Sequence, residues 1–464
     1  MSLQKLLLAS LLSAPLLASA NDLLRFYSLA VKNDATLRAA GFARDAALEA
    51  SPQAKAQLLP QVTGSYEQVF NDSDLQVSYT DPTTGTTVPI SSKNDGTDKS
   101  LSVTLTQPLF NLEAFYRLKQ ASEQVALAQL SYRMSEQTLL LTVAESYFGV
   151  LGASDALRSA TAEKEALSRQ LELAKQNVEV GISSLTDTDE VQARYDLSVA
   201  TELEAQQAYT SALESLEEII REPLEDLDKR PVRVVALAGT EGKKPLSTLP
   251  AELVLPSPQP ASADEWVVRA KSGNLDVMAA RLNFSVAVQE LSAVQARHLP
   301  TLSGSLNYTD SRSEAGALPT KLKGPSAGIR LSLPIFAGGT TQSLVRQAKA
   351  GREQRLAEFD GAERAVERQV RTAYQAVTLG AAKVRAFKQA QASSRSALVA
   401  VETGLEIGTR AALDVLNAQQ QRYAAERNYD KARYDCILAT LRLKALAGQL
   451  ALRDLQEVDA LLVN

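Results

Sequence analysis

The chain holds one histidine, His298, and one cysteine, Cys436, so two of the side chains that most often do chemistry are nearly absent. A single thiol forbids a disulfide within the chain, a Cys/His zinc cluster cannot be assembled, and a Ser-His-Asp relay would depend on one imidazole. His298 directly precedes Leu299-Pro300, where a helix is expected to end, and reads as an exposed, idle histidine. Cys436 lies in an alanine-rich helical run and reads as a small buried apolar residue. No nucleophile–base pair, metal-ligand cluster or glycine-rich phosphate loop stands out, which leaves no enzyme and no cofactor to argue for. The spacing that does need explaining is acidic. Asp187 follows Gly181 by six positions, and Asp414 follows Gly408 by the same distance. An aspartate just past a glycine turn ordinarily caps the next helix.

The 464 residues are enough for two or three ordinary domains. Fifty-four acidic against 49 basic residues give a net charge of −5, which argues against a nucleic-acid partner. Residues 1–20 read as an export address: Lys5, an apolar run from Leu6 to Leu17, then the cleavage site Ala18-Ser19-Ala20. The mature chain is expected to begin at Asn21, beyond the inner membrane. With no cysteine near that site, lipid anchoring at a mature N-terminal cysteine is excluded. No other stretch is apolar for about 18 residues, so a membrane location would require a β-barrel.

The sequence is written twice. Ala56-Gln57-Leu58-Leu59-Pro60 with Gly64-Ser65 recurs as Ala296-Arg297-His298-Leu299-Pro300 with Gly304-Ser305. Leu105-Thr106-Gln107-Pro108-Leu109-Phe110 recurs as Leu331-Ser332-Leu333-Pro334-Ile335-Phe336, and Val180-Gly181 with Asp187 recurs as Ile407-Gly408 with Asp414. Each half therefore reads as helix, strand, loop, strand, long helix, glycine turn, helix. The expected divisions are 21–222 for the first repeat, 223–262 for a connector and 263–464 for the second. Seven prolines fall between Pro223 and Pro260, whereas none occurs from Leu109 to Glu222 or from Ile335 onward. Proline in a helix interior costs about 3 kcal/mol, so the proline-free tracts can be helical. Pro60, Pro108, Pro300 and Pro334 mark the four helix–strand junctions, because a residue before proline is pushed out of the α region.

Leu157, Ala160, Leu167, Leu171, Ala174 and Val178 follow coiled-coil steps, with Lys164 the one polar exception. A helix from Asn111 to Val180 would reach roughly 100 Å unless Gly149 and Gly152 interrupt it. Such a helix must pack lengthwise against others. The strands alternate over about ten residues: Leu101, Val103 and Leu105 against Ser102, Thr104 and Thr106; Leu302, Leu306 and Tyr308 against Ser303, Ser305 and Asn307; Ile329, Leu331 and Leu333 against Gly328, Arg330 and Ser332. Val62, Tyr66 and Phe70 flank a weaker fourth strand. Alternation of this kind also suits an ordinary half-buried sheet. With an export address, however, four strands too few to close a barrel point to oligomerisation. Asn71–Lys99 and Thr309–Gly324 then read as polar surface loops.

The doubled layout, the proline junctions, and Ile407-Gly408-Thr409-Arg410 followed by Asp414-Val415-Leu416 resemble the TolC family of outer-membrane channels, over nearly the whole mature chain. The resemblance implies a mainly α fold with transmembrane β-structure. Three copies would give four strands each to one twelve-stranded barrel, continuous with a long periplasmic helical barrel belted at the connector. It implies an exit duct in the outer membrane of a Gram-negative cell, working with a periplasmic adaptor and an inner-membrane ABC transporter or proton-driven pump. Val180, Gly181, Ile407, Gly408, Thr409 and Arg410 match the tip turns and adaptor-docking positions. Gln170, Asp187 and Arg410 match a network that holds the tip closed, and Asp414 matches an acid that rings the narrowest part of the pore. Two positions depart from the pattern: Leu405 stands for a tyrosine of the latch and Asn417 for a second ring acid. A constriction with about half the acid charge should remain cation-selective and be less sensitive to divalent block. Asp187 and Asp414 also fit simple N-caps, and Arg410 a solvated surface arginine. The lack of an anchoring cysteine and the short C-terminus resemble channels for type I protein secretion; multidrug efflux is the alternative. A periplasmic adaptor or a coiled-coil scaffold is the rival outside channels.

Overall fold

The computed structural model describes residues 22–80, 82–180, 184–221, 246, 248–250, 258–314 and 319–462. The expected export address, Gly181 and most of the proline-rich connector lie outside the described residues. The chain forms two compact units. A helical unit comprises Met1–Phe42, Leu130–Met278 and Gly361–Asn464; a sheet unit comprises Ala43–Gln129 and Ala279–Asp360.

The helical unit holds the larger share of the helical residues, and the sheet unit the rest, including α3 and most of α7. The helices are α1 (Asp22–Asn33), α2 (Ala35–Leu48), α3 (Ala50–Ala56), α4 (Leu112–Glu179), α5 (Leu185–Ile220), α6 (Ala263–Gly273), α7 (Leu275–Ala296), α8 (Thr340–Glu406), α9 (Ala412–Leu446) and α10 (Leu452–Asp459). α4 has 68 residues and α8 has 67, about 100 Å of helix each at 1.5 Å per residue. Asn111 starts α4 by accepting the Ala114 N–H at 3.0 Å. Gly149 and Gly152 do not interrupt it, so the unbroken form left open by the sequence is the one observed. A Cβ on Gly152 would lie 3.8 Å from the Tyr434 ring, so this glycine is where α9 approaches closely. One turn on, the Tyr434 hydroxyl donates to Asp155 Oδ2 at 2.5 Å.

The core of this unit gathers Leu23 and Phe26 of α1, Tyr147, Phe148 and Leu151 of α4, Leu216 and Ile220 of α5, Leu441 of α9 and Leu455 of α10. At its edge Asp459 accepts the Leu23 N–H at 3.1 Å, capping the first helix from the last. Burial pushes the Asp459 carboxyl up to about 6, against the pull of the Leu23 and Leu24 N–H groups and with a further push from Asp22.

The sheet unit holds one antiparallel sheet in the order β1 (Gln61–Thr80), β2 (Thr87–Phe110), β3 (Thr301–Ser313) and β4 (Thr320–Ser332). Pro60 and Pro300 stand just before β1 and β3. Pro108 lies inside β2 at a register shift, and Pro334 follows the end of β4. The first two strands are twice the expected length. Asn71–Thr80 pairs without a break against Thr87–Gly96, so most of the expected loop Asn71–Lys99 is a two-stranded ribbon rising past the end of β3. The Thr80 and Thr87 hydroxyls meet at 3.0 Å near its tip, and Gly85 in the turn has φ +68°. The loop expected at Thr309–Gly324 is likewise shortened by strand pairing as far as Ser313 with Thr320.

Candidate functional site

Two places carry the residues singled out in the sequence: the turns joining the helix pairs, in the helical unit, and the strands, in the sheet unit. The turn before α5 ends in a capping box. Ser184 Oγ accepts the Asp187 N–H, and Asp187 Oδ2 accepts the Ser184 N–H, both at 3.2 Å. Asp187 is therefore the third helical residue, one turn inside the N-cap role expected of it. Asp414 holds the same place in α9, accepting the Ala411 N–H at 3.2 Å, with alanine where the other half has a serine.

The turn before α9 is wound around Gly404. Its carbonyl accepts the N–H groups of Thr409 (2.8 Å) and Arg410 (3.1 Å), while Gly408 adopts φ +77°, a conformation that suits glycine. A Cβ on Gly404 would meet Arg410 Cγ at 2.6 Å, so the arginine stem lies across this glycine. The Arg410 guanidinium stands 3.9 Å from Asp414, an exposed pair worth little by itself. Val180 and Ile407, flanking the turns, are 67% and 71% exposed. Gln170 is half-buried on α4. Leu405, in place of a hydroxyl-bearing side chain, packs instead against Leu398, Val415 and Ala418.

Contacts between helix pairs hold this region together. Leu416 of α9 is 2% exposed and sits among Leu167 and Leu171 of α4 and Val191 of α5. Lys164, the polar exception in the α4 stripe, donates to Glu202 of α5 at 2.6 Å. That bond raises the Lys164 pKa and holds the Glu202 carboxyl below its ordinary value. Arg427 of α9 reaches Glu163 of α4 at 2.9 Å. Arg194 of α5 donates through Nη2 to Asn417 Oδ1 (2.9 Å) and through Nη1 to Gln420 Oε1 (3.2 Å), both on α9. Sequence reasoning reached Asn417 but missed Arg194, because its partners lie more than 220 residues away. It also missed the buried pair Tyr434–Asp155, with Arg158 2.7 Å from the same carboxylate. His298 is exposed and Cys436 buried, and burial pushes that thiol's pKa up. Among the described residues no cluster of three or more His, Cys, Asp or Glu could hold a metal.

In the sheet the register puts like residues on one side. Val62, Leu105, Leu306 and Ala327 form one row; Gly64, Val103, Tyr308 and Pro325 form the next; and Leu302 pairs with Leu331. From Leu302 to Tyr308 this apolar face covers about 20 Å at 3.3 Å per residue. Exposures of 64% at Val62, 76% at Ile329 and 69% at Leu331 mark it as uncovered by the described residues. The opposite face is stitched by polar groups. Ser65 and Ser102 hydroxyls meet at 2.8 Å, and Thr104 Oγ1 donates to Asn307 Oδ1 at 2.8 Å. Pro325 sits on the edge strand β4, the position a sheet tolerates for a residue without an N–H. One face suits hydrocarbon and the other suits water. Among the described residues no helix is long and apolar enough to cross a membrane.

A four-stranded sheet of this kind, carried with two pairs of very long helices, defines the class of outer-membrane channel proteins. The chain belongs to the outer membrane efflux protein family, whose model matches residues 26–220 and 266–449. It is 34% identical over 452 residues to the alkaline protease secretion protein AprF of Pseudomonas aeruginosa, covering 96% of this chain and 88% of that one. It is 32% identical over 448 residues to the outer membrane protein TolC of Vibrio cholerae, covering 95% and 94%. The crystal structure of the Campylobacter jejuni CmeC outer membrane channel matches the fold with a TM-score of 0.75 at 15% identity, over 95% of this chain and 90% of that one.

Proposed function

We propose that three copies of this chain form an exit duct in the outer membrane, serving type I protein secretion with a periplasmic adaptor and an inner-membrane ABC transporter. The observation that carries the reading is the sheet. β1 and β4 are its edge strands, one face is apolar and uncovered, and four strands cannot enclose a lumen. Closure by further copies satisfies the edges and turns the apolar face to lipid in one step. Twelve strands from three chains is the number the family resemblance implies.

In that assembly the repeats 21–222 and 263–464 would line the duct in alternation, and the connector 223–262 would belt it. Asp414 of each chain would ring the constriction and favour cations, with Asn417 leaving the ring about half as charged. Gln170, Asp187 and Arg410 would hold the tip closed, with Leu405 contributing apolar packing to it. Exposed Val180 and Ile407, beside Gly408 and Thr409, offer an apolar surface at the tip for an adaptor. The likeness to AprF, named for protease secretion, favours protein export; the family's description favours efflux as the second reading.

The test is purification from outer membranes and reconstitution in planar bilayers. A trimer in detergent that conducts, with Asp414→Asn lowering its cation preference, is expected. A stable, water-soluble monomer refutes the reading. Deleting the gene separates the two export roles: loss of a secreted protein supports secretion, whereas drug sensitivity alone supports efflux.

A further inference from the structure

We infer that Arg194 is a positioning residue that holds the helix pairs together at the constriction, and that its charge offsets the Asp414 ring. The inference rests on the channel reading above. Arg194 stands on α5, one turn after Val191, and its planar fork spans two side chains of α9, Asn417 at 2.9 Å and Gln420 at 3.2 Å. Beside this tie lies the apolar contact of Leu416 with Leu167, Leu171 and Val191. The polar tie and the apolar contact occupy the same stretch of α9. Separating α9 from α4 and α5 must therefore expose Leu416 and break both arginine bonds together.

The neighbours of Arg194 give Asn417 a role beyond that of a missing acid. Asn417 lies three residues after Asp414, and Glu190 lies three after Asp187, so they are matching positions of the two repeats. Both face one guanidinium, Glu190 at 3.9 Å on the arginine's own helix. With a neutral amide on the α9 side, the arginine charge is left only partly balanced, beside an α9 residue that lies one helical turn after Asp414. A charged donor holding neutral acceptors keeps much of its strength in salt, unlike an exposed ion pair. Two such bonds, discounted for partial exposure, should bias each subunit roughly tenfold towards the closed arrangement.

The experiment compares full-length channels in planar bilayers under a salt gradient: wild type, Arg194→Ala, Arg194→Lys, the pair Asn417→Ala with Gln420→Ala, and the triple variant. Arg194→Ala and the amide pair should each raise single-channel conductance several-fold, and the triple variant should add nothing further. Arg194→Ala should also strengthen cation preference, while Arg194→Lys should loosen the closed state with the preference little changed. A merely structural arginine would not move the reversal potential. Unchanged conductance in Arg194→Ala and the amide pair overturns the inference, as do additive effects or an unchanged reversal potential. Should Arg194→Ala fail to assemble, the amide pair, which leaves the arginine in place, decides by the same readout. Wild-type protein that forms no pore refutes the channel reading; a conducting wild type with unresponsive variants refutes the Arg194 role alone.

Discussion

Asp459 makes the docking of the first helix depend on pH, and the sign can be worked out. Asp459 is buried and its pKa is raised by that burial from 3.8 to about 6. Between those values the docked state holds a proton that the undocked state has released. Docking is therefore favoured most below pH 4, and the advantage is lost as pH rises through about 6. The whole shift corresponds to about 3 kcal/mol, of which about 1.4 kcal/mol separates pH 5 from pH 7.5. Opening of α1 should thus be about tenfold more frequent at pH 7.5 than at pH 5. Hydrogen exchange of the peptide carrying Leu23 and Leu24, corrected for the intrinsic effect of pH, reads this directly. Asp459→Asn keeps an oxygen for the Leu23 N–H but removes the ionisation, so it should flatten the dependence and increase protection at pH 7.5. Equal protection of the wild type at both pH values, or a slope that survives Asp459→Asn, would refute the reasoning.

Other substitutions test the packing of the same unit. Gly448 has φ +67°, and a Cβ there would lie 1.9 Å from the Gly273 carbonyl oxygen, so Gly448→Ala should cost more than about 3 kcal/mol and leave little assembled protein in membrane fractions. Gly149 lies inside α4 with open space around it, so Gly149→Ala should raise the melting temperature of the oligomer through a gain of about 0.5–1 kcal/mol per chain. Tyr434→Phe keeps the ring against Phe148, 5.7 Å between centroids, but deletes the bond to Asp155. A loss of about 1–3 kcal/mol and a lower melting temperature are expected, and a melt matching wild type would count against the bond.

The sequence discloses this fold where a local signal exists. Proline-free tracts coincide with α4, α5, α8 and α9, because a proline in any of them would break the helix. The alternation at Leu101–Leu105 and Leu302–Tyr308 is legible because the two faces of that part of the sheet meet different surroundings. The β1–β2 ribbon above Phe70 escaped notice because the polar run Asn71-Asp72-Ser73-Asp74 and its partner Asn94-Asp95-Gly96 read as loop, which hid the alternation of Leu75, Val77 and Tyr79 that resumes beyond them. Gly149 and Gly152 left the continuity of α4 open in the sequence, and the helix runs through both because an isolated glycine costs a 68-residue helix only about 1 kcal/mol. At the turns, Ser184 with Asp187 is a local capping signature, but attention to the aspartate alone missed the serine three residues before it that is the N-cap. Arg194 could not be read at all, since an arginine on α5 says nothing of amides on α9, more than 220 residues further on.

The bond from Leu23 to Asp459 joins residues 436 positions apart. A polypeptide that leaves the cytoplasm amino end first would present Leu23, Phe26 and Ala30 to water long before Leu455 and Val458 emerge to cover them. Completion of this core is thus deferred until the carboxyl end has crossed, and an apolar stripe near the leading end that α4 and α5 only partly cover invites a holding chaperone. A truncated product lacking only α10 would carry its damage at the opposite end of the chain, which gives quality-control proteases a simple mark of an unfinished molecule.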